Sequence, residues 1–209
     1  MSALPLLGPL GLTAQPAIVS RVFLQCCWFT DPDEASALLQ ATAAGNPEKD
    51  LKLLVAGLGG AFTSCNGFPD GGLGGELKMP DGDASKVELR LQGSHGLVNE
   101  VKPRLLELLK AQGIDPGHWV MPVFMCEELQ SATLYPVFLH PADLAAVWEK
   151  AGRDPDKLPE NLTVMDIRML VQAMATDETN AWNILEFVGS TKAAELALEV
   201  QTSQKVEAA

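Results

Sequence analysis

Four cysteines, three histidines and a glycine-rich turn are the residues of this chain best placed to do chemistry. Cys26, Cys27, Cys65 and Cys126 include no C-x-x-C pair. Adjacent residues of a strand face opposite ways, so Cys26 and Cys27 cannot serve one metal or readily bridge each other. The cysteines read as small buried hydrophobes. His95, His118 and His140 stand apart, with no H-E-x-x-H pattern to seat zinc. Gly57-Leu58-Gly59-Gly60 follows a strand-like run and resembles the start of a dinucleotide loop, but Phe62 stands where that loop needs a further glycine. As a dinucleotide signal it is weak, and the residues read as a tight strand-to-helix turn. Ser64 and Ser94 lack the flanking glycines of a nucleophile elbow. Asp31 with Glu34, and Glu127 with Glu128, read as helix caps and solvated charge rather than as an acid and base pair. Catalytic residues, cofactor-binding residues and metal ligands are therefore expected to be none, and no cofactor is implied. A small nucleotide-binding enzyme working through 57–60 is the last-ranked reading.

The elements that would have to position any site appear twice. Phe29-Thr30-Asp31-Pro32 precedes apolar residues at Ala35, Leu38 and Leu39, and Phe138-Leu139-His140-Pro141 precedes Leu144, Val147 and Trp148. Every pair is 109 positions apart, as 29 is from 138 and 39 from 148. In each copy a strand hands over to a helix at the proline. Asp31 supplies a cap, Glu34 the acid of a capping box, and Pro32 a first helical residue that needs no N–H donor. In the second copy Asp143 favours the first turn, and His140 is the weaker cap. The i, i+3, i+4 spacing gives each helix one buried stripe. Gly45 and Gly152 end the two helices, with Pro47 and Pro155 following.

Next come strands at Leu51, Leu53 and Val55 and at Leu162 and Val164, so each unit reads strand, helix, strand. A crossover of that length suits parallel pairing. The second half continues with a helix over 166–174, a strand over 183–188 and a last helix over 190–200. The first half follows with a helical turn over 58–65, a strand over 86–91 and a helix over 102–112 with Pro103 near its start. A hairpin of 119–125 and 133–139 leads the second half, and the first half carries a shortened version at 18–19 and 22–24.

The expected class is α/β, with α+β as the alternative, built as two pseudo-symmetric repeats. Boundaries fall at 1–20 (extended N-terminal arm), 21–118 (first repeat, with a Gly-rich loop at 66–83), 119–202 (second repeat) and 203–209 (disordered tail).

Across 209 residues, 47% are hydrophobic and 15 Lys and Arg stand against 27 Asp and Glu, a net charge of −12. A core of useful size is within reach. That charge, with no basic stripe, argues against a nucleic-acid partner. No apolar run reaches the roughly 20 residues a membrane helix needs. The first 20 residues carry no positive charge, unlike a secretory or organellar leader. Trp28, Trp119, Trp148, Trp182 and the seven methionines read mostly as core, and any on an open face would suit varied client segments.

The run Trp119-Val120-Met121-Pro122-Val123-Phe124, then Tyr135-Pro136-Val137-Phe138 with Asp143-Leu144 and Trp148, then Leu158-Pro159 and Asp166-Ile167 to Met174, resembles the second half of the Tic22-like family. Phe29-Thr30, Ala35, Leu38, Leu39, Asn46-Pro47 and Leu58-Gly59 resemble its first half. That family is the twenty-two-kilodalton component of the chloroplast inner-envelope import machinery, with cyanobacterial and apicoplast relatives. The resemblance implies a two-lobed fold and a non-enzymatic protein peripheral to a plastid membrane or in the envelope intermembrane space. It further implies chaperone-like handling of preproteins beside other translocon subunits. The short first hairpin and the glycine-rich loop depart from the family's pattern. They motivate an alternative, an accessory or assembly subunit of a plastid membrane complex.

Overall fold

The structure is a computed structural model and describes residues 16–22, 25–68, 88–117, 119–158, 162–179 and 181–207. The first half runs β1 (Pro16–Val22), β2 (Gln25–Phe29), α1 (Pro32–Gly45), β3 (Leu54–Gly57), α2 (Leu58–Ser64), β4 (Glu88–Gln92) and α3 (His95–Ala111). The second runs β5 (Pro122–Met125), β6 (Tyr135–Phe138), α4 (Pro141–Lys150), β7 (Thr163–Asp166), α5 (Ile167–Thr176), β8 (Leu185–Val188) and α6 (Thr191–Glu207). The class is mixed α/β.

Two four-stranded sheets form, in the orders β3-β1-β2-β4 and β7-β5-β6-β8. In each, the leading hairpin is antiparallel, the third strand adds antiparallel to the hairpin's first strand, and the fourth runs parallel beside its second. The strands joined by α1 and by α4 were expected to be parallel neighbours. They are not: β1 and β5 already occupy that edge, so the crossover passes over a strand, and the parallel partners are β4 and β8.

The first hairpin also corrects the sequence reading. Its strands have seven and five residues against four and four in the second, so no strand is truncated. Only the connection is short, residues 23–24 against a longer one that contains a 3-10 helix at Glu127–Leu129. β1 accordingly takes in 16–20 of the expected N-terminal arm, and α6 continues to Glu207 through most of the expected tail. Most of the expected 66–83 loop lies outside the described residues. The hydrogen-bond register brackets it nonetheless. Phe29 pairs with Gln92 and Phe138 with Val188, so the separation between corresponding positions falls from 109 to 96 across this stretch. The first half is thus 13 residues longer there, the difference of those two separations.

The inner faces of both sheets share one core. Leu89 and Leu91 of β4 meet Met121, Val123, Met125, Val137, Leu185 and Phe187 of the second sheet, with Phe62 of α2 and Leu170 of α5 between them. Alternation explains the assignment: Val123 and Met125 face this core while Phe124 faces the other side. Strand β5 is buried at all four positions because it is covered on both faces.

The outer layers are exchanged between halves. Helix α3 closes the first half in sequence, yet Leu97 packs with Phe124, Phe138, Leu144 and Trp148 of the second, and Leu105 and Leu109 pack with Val120, Val164 and Met169. Helix α6 closes the second half, yet Leu196 packs on Phe29, Ala35 and Leu53 of the first.

Helix α3 starts at His95, two turns before the expected 102, and runs through Pro103. The missing proline N–H deprives the carbonyl of Asn99, an exposed residue that water can serve. The start was hidden because its cap is remote. Ser94 makes no side-chain cap; Glu34 accepts from the His95 N–H at 2.5 Å and from Gln92 Nε2 at 3.4 Å. Glu34 therefore caps α3 instead of closing a capping box on α1. Replacing Glu34 with Ala is expected to cost about 1 kcal/mol, a fall of roughly 2–4 °C in Tm readable by calorimetry, and Glu34→Gln to cost less.

Candidate functional site

The topology brings one set of strand ends and helix starts together. Strands β2, β4, β6 and β8 each lead directly into α1, α3, α4 and α6, and residues from all four junctions line a cleft of about 200 Å³ between the halves. Thr30, Asp31, Ser94, His140, Asp143, Ser190 and Lys192 are among its polar residues. Four helix N-termini facing one cleft would favour an anion if their amides were free.

At each of the four helices at least one of those amides is already served by the protein's own acceptors. Asp31 Oδ1 accepts from the N–H groups of Asp33 at 2.9 Å and Glu34 at 3.3 Å, as the capping pattern predicts. His140 Nδ1 accepts from the Ala142 N–H at 3.0 Å. Ser190 Oγ accepts from Ala193 at 3.1 Å, and Glu34 serves α3. Lys192 of α6 pairs with Asp33 of α1 across the two halves, with both side chains more than half exposed. The cleft is a capped joint that carries net acidic charge.

One group in it is held at a cost. Burial raises the Asp143 carboxyl above the ordinary aspartate range, and the nearby His140 opposes the shift only in part. A raised carboxyl pKa in the folded state means that the fold prefers the protonated form. Stability contributed by Asp143 is therefore full below its unfolded pKa and is lost as pH rises through the folded value. Replacing Asp143 with Asn removes that loss, so the Tm of the variant relative to wild type is expected to be more favourable at pH 7 than near pH 3.

The thiols are equally unsuited to nucleophilic work. Burial pushes Cys65 up to about 12 and also raises Cys126, which donates to Glu128 at 3.1 Å. Both remain protonated at neutral pH. Cys27 is half-buried, and the side chain of Cys26 lies outside the described residues. At the glycine turn, β3 is an edge strand antiparallel to β1, and Gly57 has an ordinary φ of −67. Phe62, where a dinucleotide loop needs glycine, fills the core against Phe68 and Trp119. That geometry is a tight turn into α2. Glu127 and Glu128 are exposed, His95 sits on α3 beside Asn99, and His118 lies outside the described residues. Of the cysteines singled out in the sequence, Cys27 lies near enough to Cys65 to add to the rise in its pKa. No group of three or more His, Cys, Asp or Glu able to hold a metal occurs among the described residues.

Two residues that sequence reasoning passed over form the densest polar network. Asp166, fully buried, caps α5 by accepting from Arg168 N at 2.9 Å and takes the Met121 N–H at 3.0 Å. Arg168, 5% exposed, pairs with Asp166 at 2.8 Å. Its guanidinium also donates to the carbonyls of Asp115, Pro116 and Trp119 and lies 4.4 Å from the Trp119 ring centroid. Trp119 in turn donates to the Cys65 carbonyl at 3.2 Å and packs edge-on to Phe62. The segment between the halves is thereby tied to both. An aspartate and an arginine inside the otherwise apolar run 164–171 were the signal available in the sequence.

No protein-family model matches the chain, and no curated protein matches it. Solved structures do. Tic22 from Plasmodium falciparum superposes with a TM-score of 0.57 at 15% identity, over 92% of this chain and 96% of that one. The chain has a Tic22-like fold. Anabaena Tic22, a protein of protein transport, superposes with a TM-score of 0.52 at 15% identity, over 88% of this chain and 92% of its own. The Tic22-like fold extends over both halves, beyond the motifs that carried the resemblance in sequence. Among the described residues, no helix is long and apolar enough to cross a membrane.

Proposed function

We propose that this protein is a non-enzymatic component of plastid protein import, a chaperone-like adaptor for preproteins at the chloroplast envelope. The observation that carries the reading is the whole-chain likeness to two Tic22 structures, one of them described as a protein of protein transport. The polar clusters of the described residues support it, since their groups are used in capping and in tying elements together. The matching strand orders and the 109-residue register further support two pseudo-symmetric repeats derived from one duplicated unit.

Client contact is assigned to the outside of the molecule. Met121, Met125, Met165, Met169 and Met174 lie in or against the core, so they form no open methionine face. The large hydrophobic side chains exposed among the described residues are Leu54, Leu134 and Leu198. A photo-crosslinking residue at position 54 or 134 tests this in isolated plastids supplied with an arrested precursor. Adducts with the precursor are expected; their absence at both positions, while the protein is in place, overturns the adaptor role.

The 13 extra residues of the first half favour a second reading, an accessory subunit bound to a plastid membrane complex. Native electrophoresis of solubilised membranes separates the two: stable co-migration with a complex supports the second, and a free protein that still crosslinks to precursor supports the first.

A further inference from the structure

The two halves are joined by one segment, residues 112–121, between Ala111 of α3 and Pro122 of β5. Each half lays its last helix on the other's sheet, so nearly all contacts between them are ones that a second copy of the chain could supply unchanged. The joining segment is itself bent. Gly113 and Gly117 have φ of 72 and 54, and a Cβ at either would meet nothing within 4 Å. Extended, ten residues would span about 33 Å. Local bonds shape the bend, Ile114 N–H to the Leu109 carbonyl and Gly117 N–H to Asp115 Oδ1. What ties it to the second half is the side chain of Arg168, which grips the carbonyls of Asp115, Pro116 and Trp119, while Trp119 is anchored to the Cys65 carbonyl of the first half.

We propose that the Arg168 staple keeps the halves paired within one chain, and that a chain released from it exchanges halves with a second copy to form a closed dimer. Exchange of this kind reuses the native interfaces, so it costs little beyond association and the straightening of the hinge. The hinge is where the preference is decided. With the staple in place, straightening would leave a buried guanidinium without three of its carbonyl acceptors, a loss that the extended form cannot make good. The staple belongs to the second half alone. At the corresponding positions, 109 residues earlier, the first half has Gly57 and Gly59 in place of Asp166 and Arg168.

The test is the mass of the refolded protein, measured by size exclusion with light scattering over a range of refolding concentrations. Wild type is expected to stay monomeric. Asp166→Asn combined with Arg168→Met keeps the helix cap and leaves no buried charge unpaired. It is expected to shift to twice the monomer mass as concentration rises, with a native circular dichroism spectrum. The dimer should persist on dilution and dissolve only through unfolding. A folded monomer at every concentration, or a dimer that separates on simple dilution, overturns the proposal. A second variant, deletion of residues 113–117 in the Asp166→Asn, Arg168→Met background, removes the slack that a closed monomer needs and is expected to be dimeric throughout. A folded monomer there, or failure of both variants to fold at any concentration, also overturns it, because the halves must be able to pair in trans.

Discussion

Residues 1–118 and 119–209, expressed as separate chains, are expected each to stay unfolded and, mixed in equal amounts, to recover the circular dichroism and cooperative melt of the whole protein. Each half has its own four-stranded sheet, which makes independent folding a natural first guess. The packing argues otherwise. Without the second half, Leu105 and Leu109 of α3, both fully buried in the whole molecule, have no sheet to lie on, and the inner faces of β4 and α2 lose most of the shared core. Without the first half, α6 has only water where Phe29, Ala35 and Leu53 stand, and the outer face of β5 and β6 loses the cover that α3 provides at Leu97. Full burial of a large apolar side chain is worth about 1.5–3 kcal/mol, and a domain this size has a net stability of only about 5–15 kcal/mol. Losing several such side chains at once leaves neither half a folded state. Independent cooperative melting of either fragment would show the halves to be true domains.

Arg168→Ala is the single substitution expected to cost most among polar residues, about 3–5 kcal/mol, because it leaves a buried aspartate uncompensated. Asp166 is fully buried and its carboxylate is shared among Arg168 and the N–H groups of Arg168 and Met121. Removing the guanidinium strands that charge and three backbone carbonyls as well. A fall in Tm of roughly 6–20 °C follows at this chain length, measurable by thermal denaturation. The double change Asp166→Asn with Arg168→Met should recover much of the loss, since replacing a buried pair is far milder than breaking one. Equal melting of Arg168→Ala and wild type would mean that the pair is solvated in solution.

These effects also mark where the sequence was legible. The junctions at Phe29 to Pro32 and Phe138 to Pro141 were readable because their caps are local: Asp31 and His140 bond to amides two or three residues on. Helix α2, α5 and the hairpin of β5 and β6 were also visible, since turn residues and apolar spacing act over short stretches. Strand β3 lies at Leu54–Gly57, shifted from the alternation at Leu51, Leu53 and Val55, because pairing to Pro16–Val19 of β1 sets its bounds. The start of α3 was lost because Glu34 caps it from 61 residues away. Strand order, the exchanged helices and the Arg168 staple depend on contacts between the halves, and no local spacing encodes them. The five described methionines lie in or against the core as expected, Met1 and Met79 lie outside the described residues, and the open apolar face that a client-binding role invited does not occur at those five side chains.

The role proposed for this protein is the handling of preproteins, and direct binding tests that role most sharply. Fluorescence anisotropy of a labelled transit-peptide precursor, titrated with the intact protein and with an unrelated acidic protein of like charge as control, separates client recognition from general electrostatics. Saturable binding by this protein alone, surviving physiological salt, is the predicted result. No binding beyond the control, across concentrations at which the protein remains folded, would overturn the proposed role in preprotein handling.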